Sequence, residues 1–351
     1  MSRARDLADL GGSADAGGLT GANALINGQF AVAQRGTSFT SGSNNDTDYT
    51  LDRWKLFSDG NDVVDVTQET STVPTNRQTA IALDVETVNK KFGIAQIIEQ
   101  KNCVNLIGET VTLSFQAKVS ATTNLDNVKA AIIAWDGTAD EPTDDMISAW
   151  GAEGTDPTLA TNFTYENTPA NLNLTTSYAT YSVTASVDTA SAKNIIVFIW
   201  SDVTTTSAGE FLYLSDVKLE AGQTATPYQH ISFADELFAC QRYFAYPLDA
   251  SGVASQTTVI QPMVRFPREM ISPPAFGVNG VVQFTDGYTA DHSQSSTSIS
   301  IITSQATDGH PAQFCSLANF SSLTAGRFYM YPRRVPGTAA GTNKITMDAE
   351  L

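Results

Sequence analysis

Hydrophobic and polar residues alternate with a period of two along much of the chain, and this pattern predicts strands. In residues 111–119 (VTLSFQAKV) the apolar side chains point to one side and the polar side chains to the other, and residues 179–187 (ATYSVTASV) repeat the arrangement. Residues 193–200 (KNIIVFIW) are apolar on both sides, which is typical of a covered strand, whereas residues 211–219 (FLYLSDVKL) alternate less cleanly. Polar loops separate these segments at irregular intervals. The pattern predicts a two-sheet antiparallel sandwich over residues 24–229.

One later segment follows helical spacing instead. Ser232 is in the N-cap position, with Asp235 three residues on. The apolar stripe behind it consists of Phe233, Leu237, Cys240 and Phe244. These residues predict a connecting helix over residues 230–247, which Pro247 ends. Beyond it, short segments such as FGVNGVVQF, SISIITS and RFYMY predict a second, smaller β-sandwich domain over residues 248–351.

Composition narrows the classes of function. Charged residues make up 16% of the chain, below the roughly 25% of an average domain. The net charge of −17 would repel nucleic acid and anionic membrane surfaces, so neither is an expected partner. The longest apolar run, 195–200, is far shorter than the roughly 20 residues that span a bilayer. No apolar stretch follows the charged N-terminal residues, so we expect synthesis and assembly in a cytoplasm.

The first 22 residues form a separate segment. Arg3 and Arg5 lie beside Leu7 and Leu10, which would share one side of a short helix, and a series of glycines follows. A helix this short is marginal by itself. The segment is therefore either a frayed tail or a peptide that docks on a partner in an assembly.

Four stretches carry a resemblance to a known family. They are ALINGQFAVAQRGTSFT (24–40) with LDRWKLF (51–57), IAQIIEQKNCVNLIGETVTLSFQAKV (94–119), LYLSDVKLEAGQTATPYQ (212–229) and SFADELFACQRYFAY (232–246). In this order they resemble bacteriophage tail-fibre and other virion proteins that contain a carbohydrate-binding-module-like jelly roll. MVRFPREMISPPAF (263–276) is similar to the strand that follows the helix in those proteins, and SRARDLADLGG (2–12) is similar to N-terminal peptides of cyanophage fibres.

The resemblance implies a fold and a set of partners. The fold would be all-β, with a carbohydrate-binding-module-like jelly roll over residues 23–229, the connecting helix and the second β domain. Residues 1–22 would attach to other tail or capsid proteins, the protein would be a homotrimer in the virion, and the C-terminal domain would face the host. The expected function is a tail fibre or receptor-binding component that attaches to host surface polysaccharide. The alternative is a capsid decoration, head fibre or baseplate adaptor without glycan binding.

Sugar binding needs flat aromatic faces and nearby groups that hydrogen-bond hydroxyls. Trp54 and Trp200 lie in apolar strand patterns and are expected to pack in the core. Trp150, beside the flexible sequence GAEG, is the best candidate for an exposed ring. Trp135 and the adjacent Asp136, at the start of an acidic loop, are the other carbohydrate-binding candidates.

Other chemistry is weakly indicated. The acidic loop contains Asp136, Asp140, Glu141, Asp144 and Asp145. It could bind calcium, but its spacing is not that of an EF-hand, and a solvated loop is the simpler interpretation. The resemblance implies a structural calcium near the first and last strands, which would involve Asp216. No nucleophile elbow, P-loop, dinucleotide-binding or zinc-binding pattern occurs, so we expect neither an enzyme nor a bound cofactor beyond that calcium. The three cysteines, Cys103, Cys240 and Cys315, are expected to be simple buried thiols.

Overall fold

A computed structural model of the protein describes residues 22–279, 282–287, 291–294, 299–301, 312–318, 320, 323–330 and 344–351. The predicted docking residues Arg3, Arg5, Leu7 and Leu10 lie outside this part of the chain. The chain divides into two compact units, one ending at Glu236 and including Leu351, the other comprising Leu237–Glu350. No helix in the described residues is long and apolar enough to cross a bilayer.

The first unit is built on two antiparallel sheets. Sheet A has six strands in the order β1-β3-β4-β13-β6-β11. Its strands are β1 (Ser38–Phe39), β3 (Val64–Glu69), β4 (Ala80–Val85), β6 (Thr110–Val119), β11 (Ala179–Ser186) and β13 (Phe211–Ala221). Sheet B has five strands in the order β10-β7-β12-β5-β2. Its strands are β2 (Lys55–Ser58), β5 (Phe92–Ile98), β7 (Val128–Trp135), β10 (Phe163–Tyr165) and β12 (Asn194–Ser201).

The remaining elements of this unit lie in its loops. A short hairpin is formed by β8 (Ile147–Ala149) and β9 (Thr158–Leu159). Two single-turn helices, α1 (Gln100–Cys103) and α2 (Thr122–Leu125), connect strands. Neither helix has a periodic pattern long enough to be read from the sequence.

The period-two pattern places its residues as predicted. On β6 the apolar set from Val111 to Val119 is buried in the core between the sheets, and Gln116 and Lys118 face outward. On β11, Ala185 is buried and the alternate residues are exposed. Of the segment KNIIVFIW, residues 194–200 are buried throughout in β12, between β7 and β5, and Lys193 before the strand is half-buried. The all-β, jelly-roll-like sandwich is therefore confirmed.

The helix is shorter than predicted. Helix α3 spans Phe233–Cys240, and Ser232 caps it, since its hydroxyl accepts the Asp235 N–H at 3.2 Å. It ends seven residues before Pro247. Phe244 belongs instead to a strand, β14 (Phe244–Ala245), where it pairs with Asp348. The apolar stripe and Pro247 predicted a longer helix. The backbone of Phe244 and Ala245 instead makes strand hydrogen bonds with β23 (Lys344–Asp348), which is incompatible with a helix at these residues.

The second unit also contains two antiparallel sheets. One has the order β14-β23-β17 and the other β19-β18-β22-β15-β16-β21-β20. Its other strands are β15 (Asp249–Gln256), β16 (Val259–Arg265), β17 (Ala275–Asn279), β18 (Val282–Thr285), β19 (Asp291–Gln294), β20 (Ile299–Ile301), β21 (Ala312–Leu317), β22 (Phe328–Met330) and β23 (Lys344–Asp348). The segment FGVNGVVQF forms two strands, β17 and β18, in different sheets. Ile345 and Met347 of the smaller sheet share a core with Ile260 and Val264 of the larger one. The division of the chain at residues 22, 229 and 247 stays a prediction.

Two predicted packing roles are confirmed. Trp54 and Trp200 are fully buried. Cys103 and Cys240 are buried thiols outside any disulfide of the described residues, and burial raises the pKa of Cys103 to about 12. The Cys315 side chain lies outside the described part of the structure.

Candidate functional site

The tryptophans chosen as sugar platforms are inside the protein. Trp150 is only 9% exposed and packs on Phe198, with ring centroids 6.0 Å apart. The expectation of an exposed ring at Trp150 is wrong, because the loop that carries it folds back over the outer face of sheet B. That face has its own apolar cluster, which includes Trp200 and the stacked ring of Phe198.

Trp135 is also covered. It is 3% exposed, its ring packs 4.6 Å from Phe163, and its indole N–H donates to the Thr138 carbonyl at 2.7 Å. A Cβ atom at Gly137 would lie 2.2 Å from this ring, so the chain itself closes over it. Of the three predicted residues, Asp136 alone is exposed.

Buried lysines hold this loop against sheet B. The Lys91 ammonium group donates to the carbonyl oxygens of Ala152 and Thr155, at 2.8 and 3.0 Å, and to the buried Asp202 carboxylate. Lys55 pairs with Asp144 at 2.6 Å. Lys91 thus holds the loop that carries Trp150, and Lys55 holds the acidic loop. Because each contact joins residues far apart in the sequence, the sequence alone did not show that the Trp150 loop covers sheet B.

The acidic loop does not gather its carboxylates into one site. Asp140 accepts the Gln100 N–H at 2.7 Å, and Asp145 accepts the Ile147 N–H at 2.8 Å. Asp144 is the partner of Lys55. Within the described residues, no group of three or more His, Cys, Asp or Glu side chains is placed to hold a metal ion.

Asp216 does not fit the calcium role that the resemblance implied. Both of its oxygens accept the Arg77 Nε–H, at 2.7 and 2.8 Å. Gln29 and Gln116 donate their side-chain amides to the same carboxylate, at 2.9 and 2.6 Å. A carboxylate that binds a cationic guanidinium and two amides is already neutralised and saturated, so it offers no lone pair for a calcium ion.

This carboxylate organises an open site on the first unit. Two clefts, of about 560 and 360 Å³, share Arg77 as a wall. We call them together the Arg77 groove. Its polar lining consists of Asn27, Gln29, Asn76, Arg77, Gln78, Thr79, His230 and Glu236 in the larger cleft, and Ser114, Gln116, Thr180, Asp216, Thr226 and Tyr228 in the smaller one. The exposed ring of Phe233 supplies an apolar wall.

Local backbone geometry places Asp216. The register of β13 against β6 shifts between Ser215 and Lys218, and Asp216 has a left-handed backbone with φ of 52°. This bulge turns the carboxylate toward the loop that carries Arg77. The preceding NGQF segment packs against the bulge, since the Val217 N–H donates to the Gly28 carbonyl at 2.9 Å. A Cβ atom at Gly28 would lie 2.2 Å from the Val217 oxygen, so the close approach requires glycine.

Glu236 and His230 also line the larger cleft. Glu236 is buried and accepts the Asn27 N–H at 2.6 Å. Burial raises the pKa of Glu236, although the Asn27 N–H and His230 both favour its charged form. His230 lies with Nδ1 3.1 Å from the side-chain oxygen of Gln29. A hydrogen-bonded chain therefore runs from His230 through Gln29 to Asp216.

The sequence contained only a partial signal for this site. Gln116 stands on the predicted polar face of β6, and the imperfect alternation of FLYLSDVKL marks the bulge at Asp216. Arg77 lies in a loop with no pattern of its own. Its role depends on a partner 139 residues away, which no local pattern reveals.

No family model and no curated protein matches the chain. The solved structures to which it is similar include the enzymatically active domain of tailspike protein 4 from bacteriophage CBA120, with 17% identity over 57% of this chain and a TM-score of 0.35. This chain spans 21% of that tailspike chain. A putative sugar-binding protein from Bacteroides thetaiotaomicron matches with 17% identity, 57% of this chain, 100% of its own and a TM-score of 0.33. A family 16 carbohydrate-binding module matches with 14% identity, 45% of this chain, 84% of its own and a TM-score of 0.27. At these identities and TM-scores, function has to be argued from the groove itself.

Proposed function

We propose that the protein is a non-enzymatic, carbohydrate-binding component of a bacteriophage virion, acting as a tail fibre or receptor-binding protein. In this proposal the Arg77 groove binds a host surface polysaccharide. The observation that carries it is the buried Asp216 carboxylate, which orients one guanidinium and two amides around an open cleft.

The chemistry of the groove suits hydroxyl groups. Side-chain amides, hydroxyls and a guanidinium donate and accept hydrogen bonds in fixed directions, and sugar hydroxyls need both. Because Asp216 holds Arg77, Gln29 and Gln116 in place before any ligand arrives, little ordering cost remains for binding. The exposed Phe233 ring provides an apolar face of the kind that packs on sugar C–H groups.

The arrangement gives little support to catalysis at the same place. Hydrogen bonds from Arg77, Gln29 and Gln116 engage both oxygens of Asp216, so this carboxylate is not poised as a nucleophile or base. Glu236 is buried and bonded to the Asn27 backbone. Binding without turnover is the role that these contacts favour.

The virion part of the proposal rests on the sequence resemblance of residues 24–246 to phage fibre proteins. In that assignment residues 1–22 attach to tail or capsid proteins, and three copies form the fibre. Several groove sites on one particle would then act together, so that weak single-site binding becomes firm attachment.

Glycan binding can be tested with the purified full chain. The probes are neutral xylo-, cello- and manno-hexasaccharides and an acidic hexagalacturonate, with affinities measured by isothermal titration calorimetry. We expect a neutral hexasaccharide to bind and Arg77→Met to weaken it at least tenfold. The control is Arg265→Met, which removes a 60% exposed arginine from the second unit and should change nothing. Absence of binding by every probe, or equal binding by Arg77→Met, overturns the proposed site.

The virion role needs a separate measurement. An antibody against the protein should label the tails of particles of the phage that encodes it. Purified protein should also compete with that phage for adsorption to host cells. Unlabelled particles overturn the virion assignment. Labelling of the capsid without competition supports the alternative of a decoration or head-fibre protein.

One observation favours that alternative. Val253, Met263, Phe328 and Met330 are 40 to 53% exposed on β15, β16 and β22 of the second unit. These strands are neighbours, and the register places Met330 and Met263 on either side of Ser251. A contiguous apolar patch of this kind often marks a protein contact. The competition experiment separates a protein-binding role from glycan binding.

A further inference from the structure

A second group of side chains continues the groove along the same face of sheet A. Lys118 lies two residues beyond Gln116 on β6, and it faces outward like Gln116 because Val119 and Ala117 point into the core. Tyr213 of β13 is the direct cross-strand partner of Lys118, as Ser215 is of Gln116. Two residues of a strand span roughly 7 Å, so the two groups are neighbours.

The group consists of three aromatic rings and one ammonium group. Phe211 and Tyr213 stack with centroids 5.5 Å apart and an angle of 13° between their planes. The Lys118 nitrogen lies 5.4 Å from the Tyr213 ring and 5.9 Å from the Tyr178 ring. We call these four residues, Tyr178, Phe211, Tyr213 and Lys118, the Tyr213 platform.

Contacts with the β3–β4 turn hold the platform in shape. The Tyr178 hydroxyl donates to the Thr72 carbonyl at 2.9 Å. Burial raises the pKa of both tyrosines, and the nearby negative charge of Glu69, which accepts the Thr72 N–H at 2.8 Å, adds to this shift.

Lys118 has no carboxylate partner within ion-pair distance among the described residues, although the chain has 37 acidic side chains. Its nitrogen is held by ring faces alone, which leaves its N–H donors open to a ligand. The Tyr213 ring is itself only 9% exposed and serves as the support of the group, so the aromatic surface open to a sugar is that of the half-buried Tyr178 and Phe211 rings, with the Lys118 ammonium group over Tyr178.

The carboxylates near the Tyr213 platform indicate which class of sugar it would bind. Asp65 and Asp84 are cross-strand partners on the neighbouring strands, and Glu69 lies beside the tyrosines. The whole chain also has a net charge of −17. These carboxylates and the overall charge would repel a polyanionic glycan more strongly than Lys118 alone could attract it.

We propose that the outer face of sheet A binds a linear, neutral polysaccharide chain that runs from the Arg77 groove across the Tyr213 platform. The inference rests on the proposed function and adds to it the ligand class and a second subsite. A glycan that reaches both parts makes contacts that a disaccharide held in the groove cannot make.

The test compares chain lengths. Affinities of neutral xylo-, cello- and manno-oligosaccharides of two and six residues are measured by calorimetry for the wild type, Tyr178→Ala and Tyr213→Ala. We expect the best hexasaccharide to bind at least tenfold more tightly than its disaccharide, and each variant to remove most of that difference while leaving disaccharide affinity within threefold. Hexagalacturonate should bind more weakly than the neutral hexasaccharide.

Matched variants separate the platform from general damage. Tyr178→Phe keeps the ring but loses the hydrogen bond to Thr72, so it should retain more of the hexasaccharide advantage than Tyr178→Ala. Ser186→Ala changes an exposed residue at the far end of β11, outside the platform, and should stay within threefold of the wild type. Thermal unfolding shows whether Tyr213→Ala folds, and Tyr178→Ala carries the test if it does not. Equal affinity for short and long chains, or unchanged binding by both alanine variants, overturns this inference alone. Absence of binding by every oligosaccharide overturns the proposed function with it.

Discussion

Replacing Lys91 by methionine removes the ammonium group at the centre of the loop that covers sheet B. The side chain of Lys91 is 1% exposed and that of its partner Asp202 is fully buried. Methionine has a similar length and no charge, so the change tests the electrostatic contacts more than the volume. Afterwards Asp202 keeps the Lys129 ammonium at 3.0 Å and the Gly154 N–H at 2.9 Å.

The expected cost follows from this burial. Removal of one partner of a buried ion pair typically costs about 3–5 kcal/mol, because the other charge stays buried. Lys129 still compensates Asp202 in part, so we expect about 3 kcal/mol. In a unit of this size each kcal/mol lowers the melting temperature by roughly 2–4 °C, which predicts a decrease of about 6–12 °C. The loop carbonyls of Ala152 and Thr155 also lose their donor, so the loop should open first.

The assay combines guanidinium unfolding, followed by tryptophan fluorescence, with limited proteolysis of the loop. Lys90→Met is the matched control, because Lys90 is the adjacent residue and its pair with Asp59 is 39 and 44% exposed. An exposed pair contributes at most about 1 kcal/mol. If Lys91→Met costs no more than Lys90→Met and the loop stays resistant to protease, the account of the loop as an ion-anchored cover is wrong.

Three further predictions concern other parts of the fold. Asp84→Asn should raise the melting temperature at pH 7, because Asp84 and Asp65 are direct cross-strand partners of like charge, each such pair costing about 0.2–1 kcal/mol. Burial and neighbouring acids raise the pKa of both carboxyls, so these two groups bind protons more tightly in the folded protein than in the unfolded chain, and their contribution to stability grows as the pH falls. Calorimetry at pH 7 and pH 5 should therefore show that the melting-temperature difference between Asp84→Asn and the wild type is smaller at pH 5. A lower melting temperature of the variant than of the wild type at pH 7 would contradict this. Gly28→Ala should cost about 1–3 kcal/mol in chemical unfolding, because its Cβ would lie 2.2 Å from the Val217 oxygen, and stability equal to the wild type would refute the close packing of the NGQF turn. Cys103, with a pKa of about 12 and full burial, should resist iodoacetamide at pH 8 until the protein unfolds, as peptide mass spectrometry would show; labelling of the native protein there would contradict its burial.

The strands of the sandwich core could be predicted because their signal is local. In β6 and β11 each side chain alternates between the core and the outer face, and this period of two is written in consecutive residues. The end of helix α3 could not be predicted in the same way. Phe244 fits the apolar stripe of the helix, but its backbone pairs with Asp348, a residue more than a hundred positions away.

The candidate site shows the same limit more strongly. Trp150 beside GAEG has the sequence of an exposed loop, yet Lys91 and Phe198 draw it onto sheet B. Arg77 has no pattern around it, yet it becomes the wall of the groove through Asp216.

By itself the sequence determined the all-β class, the two-sheet core, the outward polar face of β6 and the cap of helix α3, since each depends on side chains a few residues apart. Only the tertiary structure decided which polar residues meet at Asp216 and which tryptophans are covered. Those outcomes depend on contacts between strands and loops far apart in the chain, and on the cost of burying a charge without its partner.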